Sequence, residues 1–208
     1  MKKFLILTAL IVTLTTPIIA SNAFFDQGKS GVLATFGYGF TSRSNSFPVN
    51  LAYSWNGVLE VGALYRDMTQ YSFSVRAFSI NPFISYSIIK QNPANPVSVD
   101  LSISYDNMSY PNSISAATSI WNVGATVSRK MPINSISSFV LEGVFVNSSR
   151  RDTGTNYLVN YNYSTFTLAG SYLHSLSSDW TLVAQAGVYA TSFIAGGTDF
   201  TLGVINQL

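Results

Sequence analysis

The chain has 208 residues, of which eleven are basic and nine are acidic, 10% are charged and none is cysteine. Soluble domains carry roughly 25% charged residues, so this chain has less than half the usual share. The low charge excludes a nucleic-acid-binding protein, which needs a clustered basic surface, and a highly charged disordered tail. The absence of cysteine excludes a disulfide-stapled secreted domain.

The first residues have the pattern of an export signal. Two lysines precede an apolar run from Phe4 to Ile19, and Ser21-Asn22-Ala23 then places small residues at both ends of a tripeptide. A basic start, a short apolar stretch and a small-x-small cleavage site together describe a secretory signal peptide. We therefore predict a signal peptide over residues 1–23 and a mature domain over 24–208, in which nine basic and nine acidic side chains balance.

After this segment the dominant pattern is an alternation of apolar and polar residues, which is the signature of β-strands with two different faces. The clearest example is Val97 to Asp106, where all ten positions obey the alternation. Turn signals such as Asn56-Gly57, which predicts a tight hairpin, separate the alternating runs. Ten strands are predicted, at about residues 31–41, 47–55, 58–66, 70–90, 97–106, 115–129, 137–147, 157–173, 180–190 and 198–208.

The fourth predicted strand is unusually long and its apolar face changes phase. Phe73 and Val75 mark the apolar face first, whereas Ile84 and Tyr86 mark it later. A bulge near residues 79–82 would add the one residue that such a change requires. A turn there would instead give eleven strands, and single-chain bacterial barrels generally have an even number.

The composition of the two faces indicates which of them meets lipid. The polar face consists mainly of serine, glycine, asparagine, threonine and alanine, which suit a confined lumen, whereas the other face carries aromatic and branched aliphatic residues. A closed barrel pairs every backbone N–H and C=O group inside a bilayer. We predict an all-β fold, a transmembrane antiparallel up-and-down β-barrel of ten strands, with eight or twelve as alternatives. A soluble periplasmic β-sandwich is the competing interpretation.

With the alternation of Val97 to Tyr105, and with similar runs over residues 31–208, the chain resembles the small outer-membrane β-barrel proteins of Gram-negative bacteria, of the outer membrane protein A and X kind. The resemblance implies a location in the bacterial outer membrane, contact with its lipids and lipopolysaccharide, and insertion by the barrel assembly machinery. Such proteins typically end in an aromatic residue, whereas this chain ends in Leu208.

Five charged residues are predicted to point into the lumen when the phase of each strand is counted from its turns. We interpret them as a structural polar network, because interior charges persist only when they are paired. A proton or ion path is the alternative interpretation. The five residues are Glu60, Arg66, Arg76, Asp100 and Glu142.

Two further groups of residues are assigned to the ends of the barrel. Trp55 and Trp180 flank predicted periplasmic turns, where an indole ring can lie at the membrane interface. Arg43, Arg150 and Arg151 fall in predicted outer loops, where they can contact lipopolysaccharide phosphates or another surface ligand.

The sequence contains little that points to catalysis. His174 is the only histidine, and it lies at the predicted periplasmic end of strand eight beside a generic polar turn. We predict no catalytic, cofactor or metal site. The expected function is a non-enzymatic outer-membrane barrel with a structural or surface-interaction role in envelope integrity, adhesion or ligand contact. A narrow channel for small solutes and an outer-membrane lipid hydrolase using His174 are the alternatives.

Overall fold

The structure is a computed structural model, and it describes residues 21–41, 44–70, 75–110, 117–154, 157–192 and 196–208. A short 3₁₀ helix, Ser21–Phe24, precedes ten strands. No helix among the described residues has the length and hydropathy of a membrane span. The strands are β1 Gly31–Thr41, β2 Ser44–Trp55, β3 Leu59–Gln70, β4 Val75–Ile89, β5 Ser98–Ser109, β6 Ala117–Pro132, β7 Ser137–Gly154, β8 Tyr157–Ser175, β9 Trp180–Thr191 and β10 Gly197–Gln207.

The ten strands form one closed antiparallel barrel. Each strand pairs with its neighbours in the sequence, and β10 pairs with β1 from Gly31–Gln207 to Thr41–Gly197. Closure leaves no open strand edge, which an antiparallel sheet in lipid requires. The predicted fold class and the count of ten strands are therefore confirmed.

Alternate residues of every strand lie on opposite sides of the barrel wall, as the period of two requires. Large apolar side chains face outward, and Phe36, Leu51 and Val123 are 62%, 59% and 59% exposed. Small polar side chains face inward and are enclosed, for example Ser85 and Thr167. A barrel that hides its serines and exposes its phenylalanines has its apolar surface in contact with hydrocarbon.

The tight turns lie at the end of the barrel that also holds Gly31 and Gln207. Asn56 and Gly57 have φ angles of 54° and 64°, and the Val58 amide donates to the Trp55 carbonyl at 3.0 Å. This geometry is the hairpin turn that Asn-Gly predicts, because both residues tolerate positive φ. Short turns and chain ends mark the periplasmic side of such barrels.

β7 extends much further toward the outer side than the alternation of apolar residues predicted, whereas β8 begins at Tyr157 as predicted. The polar run from Asn147 onward was predicted to be a loop, but β7 and β8 remain paired up to Gly154 and Tyr157. The alternation continues there with polar residues on both faces, which gives no apolar signal. A paired ladder needs no apolar face once it has left the membrane, so polarity alone does not mark its end.

The predicted bulge near residues 79–82 is wrong. The pairing of β3 with β4 runs without a shift from Gln70–Val75 to Leu59–Tyr86, and outward residues such as Phe78 and Ile84 keep one phase. The phase change had been inferred partly from residue 73, which lies outside the described residues. The register shifts instead against β5, between Ser87 and Ile89.

The outward apolar face generates a direct test. Leu202 lies on β10, 55% exposed, and a Leu202→Arg substitution would place a cation in hydrocarbon. We expect the free energy of unfolding from lipid vesicles to fall by about 2–4 kcal/mol, the cost of arginine near the bilayer midplane. The measurement is urea-induced unfolding followed by tryptophan fluorescence. The matched control is Asn162→Arg, on the extended part of β8, which should unfold as the wild type does; equal effects would contradict the lipid-facing assignment.

Candidate functional site: lumen charges and outer extension

The outer half of the lumen contains a buried arginine held by three kinds of contact. Arg150 Nε donates to Asp152 Oδ1 at 2.8 Å, and Thr118 Oγ1 donates to the same oxygen at 2.6 Å. The guanidinium also lies over the Tyr161 ring, 5.5 Å from its centroid. The Arg150 side chain is fully enclosed. This cluster fixes the inner face of the β6–β8 sheet.

Arg150 therefore does not lie in an outer loop, and its predicted role as an outer-loop contact is wrong. It belongs to β7, where it alternates with Arg151, so the two neighbouring arginines point to opposite sides of the wall. Arg151 is exposed on the outward face, as a contact residue must be. Arg43 lies outside the described residues.

A second buried arginine lies deeper in the outer half of the lumen. Arg66 is 1% exposed, and Asp106 and Asp199 lie within its electrostatic range. Asp199 also lies against Gly187, where a Cβ atom would be 2.5 Å from Asp199 Oδ1. Buried charges of opposite sign compensate each other's lost hydration. The sequence analysis placed Arg66 in the lumen but did not identify either aspartate as part of the same group.

The periplasmic half of the lumen is acidic. Glu60, Asp100 and Glu142 are each at most 1% exposed and point inward. Glu142 Oε2 accepts a bond from Gln185 Nε2 at 3.0 Å, and Ser87 donates to Asp100. These carboxylates are close enough to repel one another. Among the described residues, no group of acidic or histidine side chains has the arrangement of a metal site.

Lys90 supplies positive charge at the edge of this acidic region. It follows β4, in the turn that leads to β5, and its ammonium group interacts electrostatically with the carboxylates of Asp100, Asp26 and Glu60. Burial outweighs these carboxylates and lowers the pKa of Lys90 to about 8. The group therefore carries charge at neutral pH at a cost to the folded state.

Arg76 does not point into the lumen, and that prediction is wrong. It lies on the outward face of β4, where its Nε donates to Asp67 Oδ1 of the neighbouring strand at 3.0 Å. Arg76 and Asp67 form an exposed ion pair above the apolar belt. The misreading follows from the phase change inferred for β4, since the continuous register puts even-numbered residues outward.

The tryptophans lie on the outward face at both borders of the apolar belt. Trp55 and Trp180 are 60% and 48% exposed, at the periplasmic ends of β2 and β9. Trp121, which the sequence analysis passed over, lies toward the outer side and contacts Tyr105 with ring centroids 4.9 Å apart. Indole rings at two depths are typical of membrane interfaces.

His174 has a partner that the sequence did not reveal. Its Nδ1 lies 3.0 Å from Ser137 Oγ, and the Tyr172 hydroxyl is also 3.0 Å from that oxygen. Ser137 is 6% exposed. A serine nucleophile needs an accessible hydroxyl and an oriented base, whereas this hydroxyl is covered and shared. The arrangement is that of a hydrogen-bonded cross-strand group.

Comparison with solved structures finds proteins of similar fold. The translocator domain of the autotransporter NalP from Neisseria meningitidis has a TM-score of 0.50 and 11% identity, over 100% of this chain and 95% of that one. Neisserial surface protein A has 0.46 and 10%, covering 86% and 97%. Ail, the attachment invasion locus protein of Yersinia pestis, has 0.43 and 12%, covering 88% and 99%. No family model and no curated protein matches the sequence.

The closed barrel, its exposed apolar belt and its enclosed polar lumen decide the class. The chain is an outer-membrane β-barrel. At these low identities the solved structures show the fold alone. The role of this outer-membrane barrel must therefore be argued from its own residues.

The Arg150–Asp152 pair yields a stability prediction. Asp152→Asn preserves the shape of the side chain but leaves the enclosed guanidinium without its counter-charge, so we expect a loss of roughly 3 kcal/mol in the free energy of unfolding. Urea titration of the barrel in vesicles measures it. Arg151→Gln removes the outward neighbour and should change the value by less than about 0.5 kcal/mol. Similar values for both variants would contradict the paired role.

Lys90 yields a pH prediction. Because its folded pKa of about 8 lies below the ordinary lysine pKa of 10.5, the unfolded chain binds more protons between those values. The contribution of this group to stability therefore rises with pH through that window. We expect the wild type to gain stability relative to Lys90→Met between pH 7 and pH 9.5, measured as urea midpoints; the two proteins share Asp26, Asp100, Glu60 and Lys130, so effects from those groups largely cancel. Parallel pH profiles would refute the assignment.

Proposed function

We propose that this protein is a non-enzymatic outer-membrane barrel whose extended β7–β8 hairpin is a rigid contact surface for lipopolysaccharide. The observation that carries the proposal is the paired ladder from Asn147–Ser164 to Gly154–Tyr157, which continues above the outward aromatic pair Phe145–Phe166. The β9 strand ends opposite Thr165. The hairpin therefore rises beyond its neighbour by about 26 Å along the strand, at roughly 3.3 Å per residue.

The inner face of this extension supports its rigidity. Arg150, Asp152 and Thr118 link β6 to β7, and Tyr110 Oη lies 3.3 Å from Thr118 Oγ1. Side chains locked in this way lose little further freedom when a ligand binds. Preorganisation of that kind increases affinity because less entropy is lost on association.

The outer face of the extension has the chemistry of a saccharide and phosphate surface. Most of its outward residues are amides and hydroxyls, which exchange hydrogen bonds with sugar hydroxyls, together with one arginine, which matches phosphate geometry. Leu158, near the tip, is apolar and 55% exposed. The polar residues lie directly above the lipid belt, at the level of the saccharides and phosphates next to the acyl chains of the outer leaflet. The outward residues with this polar chemistry include Asn147, Ser149, Arg151, Asn160, Asn162 and Ser164.

The interior supports a barrel that does not conduct. Arg66, Arg150, Met68, Met108 and Ile120 are each at most 1% exposed, so large side chains occupy the outer half of the lumen. Ten strands enclose little more than the space that side chains fill. The covered Ser137 hydroxyl argues in the same way against the hydrolase alternative.

The proposal is tested by binding and by conductance. We expect purified barrel in detergent micelles to bind lipopolysaccharide, and Arg151→Gln to weaken binding by about tenfold, the effect of losing one charge-assisted contact. Arg129→Gln removes an exposed arginine near the periplasmic end of β6 and serves as the matched control. Equal affinities for the two variants would refute the hairpin as the contact surface.

Planar-bilayer recording distinguishes a non-conducting barrel from a narrow channel. The wild-type barrel is expected to give no discrete current steps in symmetrical potassium chloride. Regular steps of one size would show an open lumen and would favour a narrow channel over a purely structural barrel. The same preparation, assayed for fatty-acid release from lipopolysaccharide, tests the hydrolase with His174→Ala as its control.

A further inference from the structure

The segment Asn22–Asp26, named here the N-terminal plug, lies inside the periplasmic mouth of the barrel. Its first turn is the 3₁₀ helix, and the residues from Asn22 to Phe25 are at most 6% exposed. Chain that only led up to β1 would have no reason to be enclosed, since leading segments are ordinarily solvated. The burial therefore calls for specific contacts.

The apolar contacts of the plug come from one side of the barrel wall. Phe24 and Phe25, at 4% and 1% exposure, join a buried cluster with inward aliphatic side chains of five strands. Fully burying two phenylalanine rings stabilises the packed state, because each ring removes a large apolar area from water. The wall residues of the cluster are Leu33, Val140, Leu173, Val183 and Ile205.

The polar contacts of the plug come from the opposite side. Asn22 Nδ2 donates to the Val58 carbonyl at 3.3 Å and to Ser85 Oγ at 3.4 Å, while Ser54 Oγ donates to Asn22 Oδ1 at 3.3 Å. Lys90 Nζ donates to the backbone carbonyl of Asn22. Both donors of the amide nitrogen and one acceptor site of the amide oxygen are thus directed at the barrel wall.

An ion pair fixes the end of the plug. Asp26 Oδ1 lies 2.9 Å from Lys130 Nζ on β6. The Asp26 carbonyl also packs on the Asn-Gly turn so closely that a Cβ atom at Gly57 would lie 2.4 Å from it. The plug is thus in contact with wall groups on nearly every side of the barrel, which a segment can achieve only when it lies across the opening.

From these contacts we infer that the N-terminal plug closes the lumen at the periplasmic end. The plug then stays on the mature protein, because export processing cuts the chain between Ala20 and Ser21. Ala20 supplies the small residue directly before the cut, while Ile18 occupies the third position before it, where the small-x-small pattern has a second small residue. The small-x-small pattern of the sequence predicted the cut after Ala23 instead, inside the plug.

The two cleavage sites differ in where they place the new amino terminus of the mature chain. A cut after Ala23 would create an α-ammonium group on Phe24, which is 4% exposed within the apolar cluster. Burying an unpaired ammonium group is costly. The same cut would remove Asn22 and leave the enclosed Ser54 and Ser85 hydroxyls without their amide partner. A cut after Ala20 avoids both penalties.

The first test is the intact mass of the mature protein, exported with its own signal and extracted from washed outer membranes. We expect a chain that begins at Ser21, heavier by three residues than one that begins at Phe24. A mature chain that begins at Phe24, or one that still carries Met1, would overturn the assignment.

The second test measures closure and uses the absence of native cysteine. Ser171 lies inward on β8, fully enclosed and two residues above Leu173 of the cluster, so Ser171→Cys provides a thiol above the plug. The thiol is placed on the β8 side of the lumen because a cavity of about 470 Å³ remains on the opposite side, between the plug and Lys90. Ser177→Cys, in an exposed turn, reports the unhindered rate of reaction with a charged thiol reagent.

We expect Asn22→Ala and Phe25→Ala, each in the Ser171→Cys background, to speed labelling by about tenfold, because each removes contacts that hold the plug closed. Gln27→Ala, an exposed residue just beyond the plug, is the matched control and should not change the rate. Labelling that is fast in the parent protein, or unaffected by both plug variants, would refute closure. Heat-modified gel mobility identifies any variant that fails to fold, and the intact mass of the wild type tests processing independently of all variants.

Discussion

Closure of the hydrogen-bonded ladder in hydrocarbon is the constraint on which the rest of this barrel depends. A lipid bilayer offers backbone N–H and C=O groups no partner, so each strand must find both of its neighbours within the same sheet. The ring of ten antiparallel strands meets this demand, with β10 paired to β1 over their whole lengths. Once the wall is closed, every second residue of each strand faces a narrow interior. This enclosure determines which side chains those positions can hold.

The enclosed charges of the lumen are arranged differently in the outer and periplasmic halves of the barrel. In the outer half, Arg66 and Arg150 are each accompanied by aspartate, so that opposite charges compensate for lost hydration. In the periplasmic half, carboxylates such as Glu142 outnumber the cations, and Lys90 stands at their edge. The first arrangement stiffens the extended hairpin that we propose as a contact surface, and the second lies directly above the proposed plug.

The sequence was sufficient for the fold because the alternation of faces is a local signal. It placed Glu60, Asp100 and Glu142 on the correct side of the wall, since short turns fixed the phase of their strands. It failed for Arg76 because a neighbouring stretch of mixed apolar residues suggested a phase change that the register does not contain. One stretch of irregular alternation within a long strand is therefore enough to assign the residues on one side of it to the wrong face.

Other features could not be found in the sequence for a different physical reason. Arg150 was assigned to a loop because a ladder outside the membrane has no apolar face to display. The Ser137–His174 contact and the Asp199 partner of Arg66 join residues far apart in the chain, and only the closed register brings them together. Asn22 and Ala23 of the plug that we propose fall within the predicted export signal, because small residues suit both a cleavage site and a packed turn.

The pairing of the first strand with the last also governs how the protein can be made. Gly31 of β1 finds its partner in Gln207 of β10, the last strand of the barrel, so the ring cannot be completed until β10 has been translocated. Until then two unpaired borders persist, and such borders invite pairing with other chains. Contacts of such long sequence separation form slowly. Assembly of this molecule therefore needs protection of both borders until β10 has paired with β1.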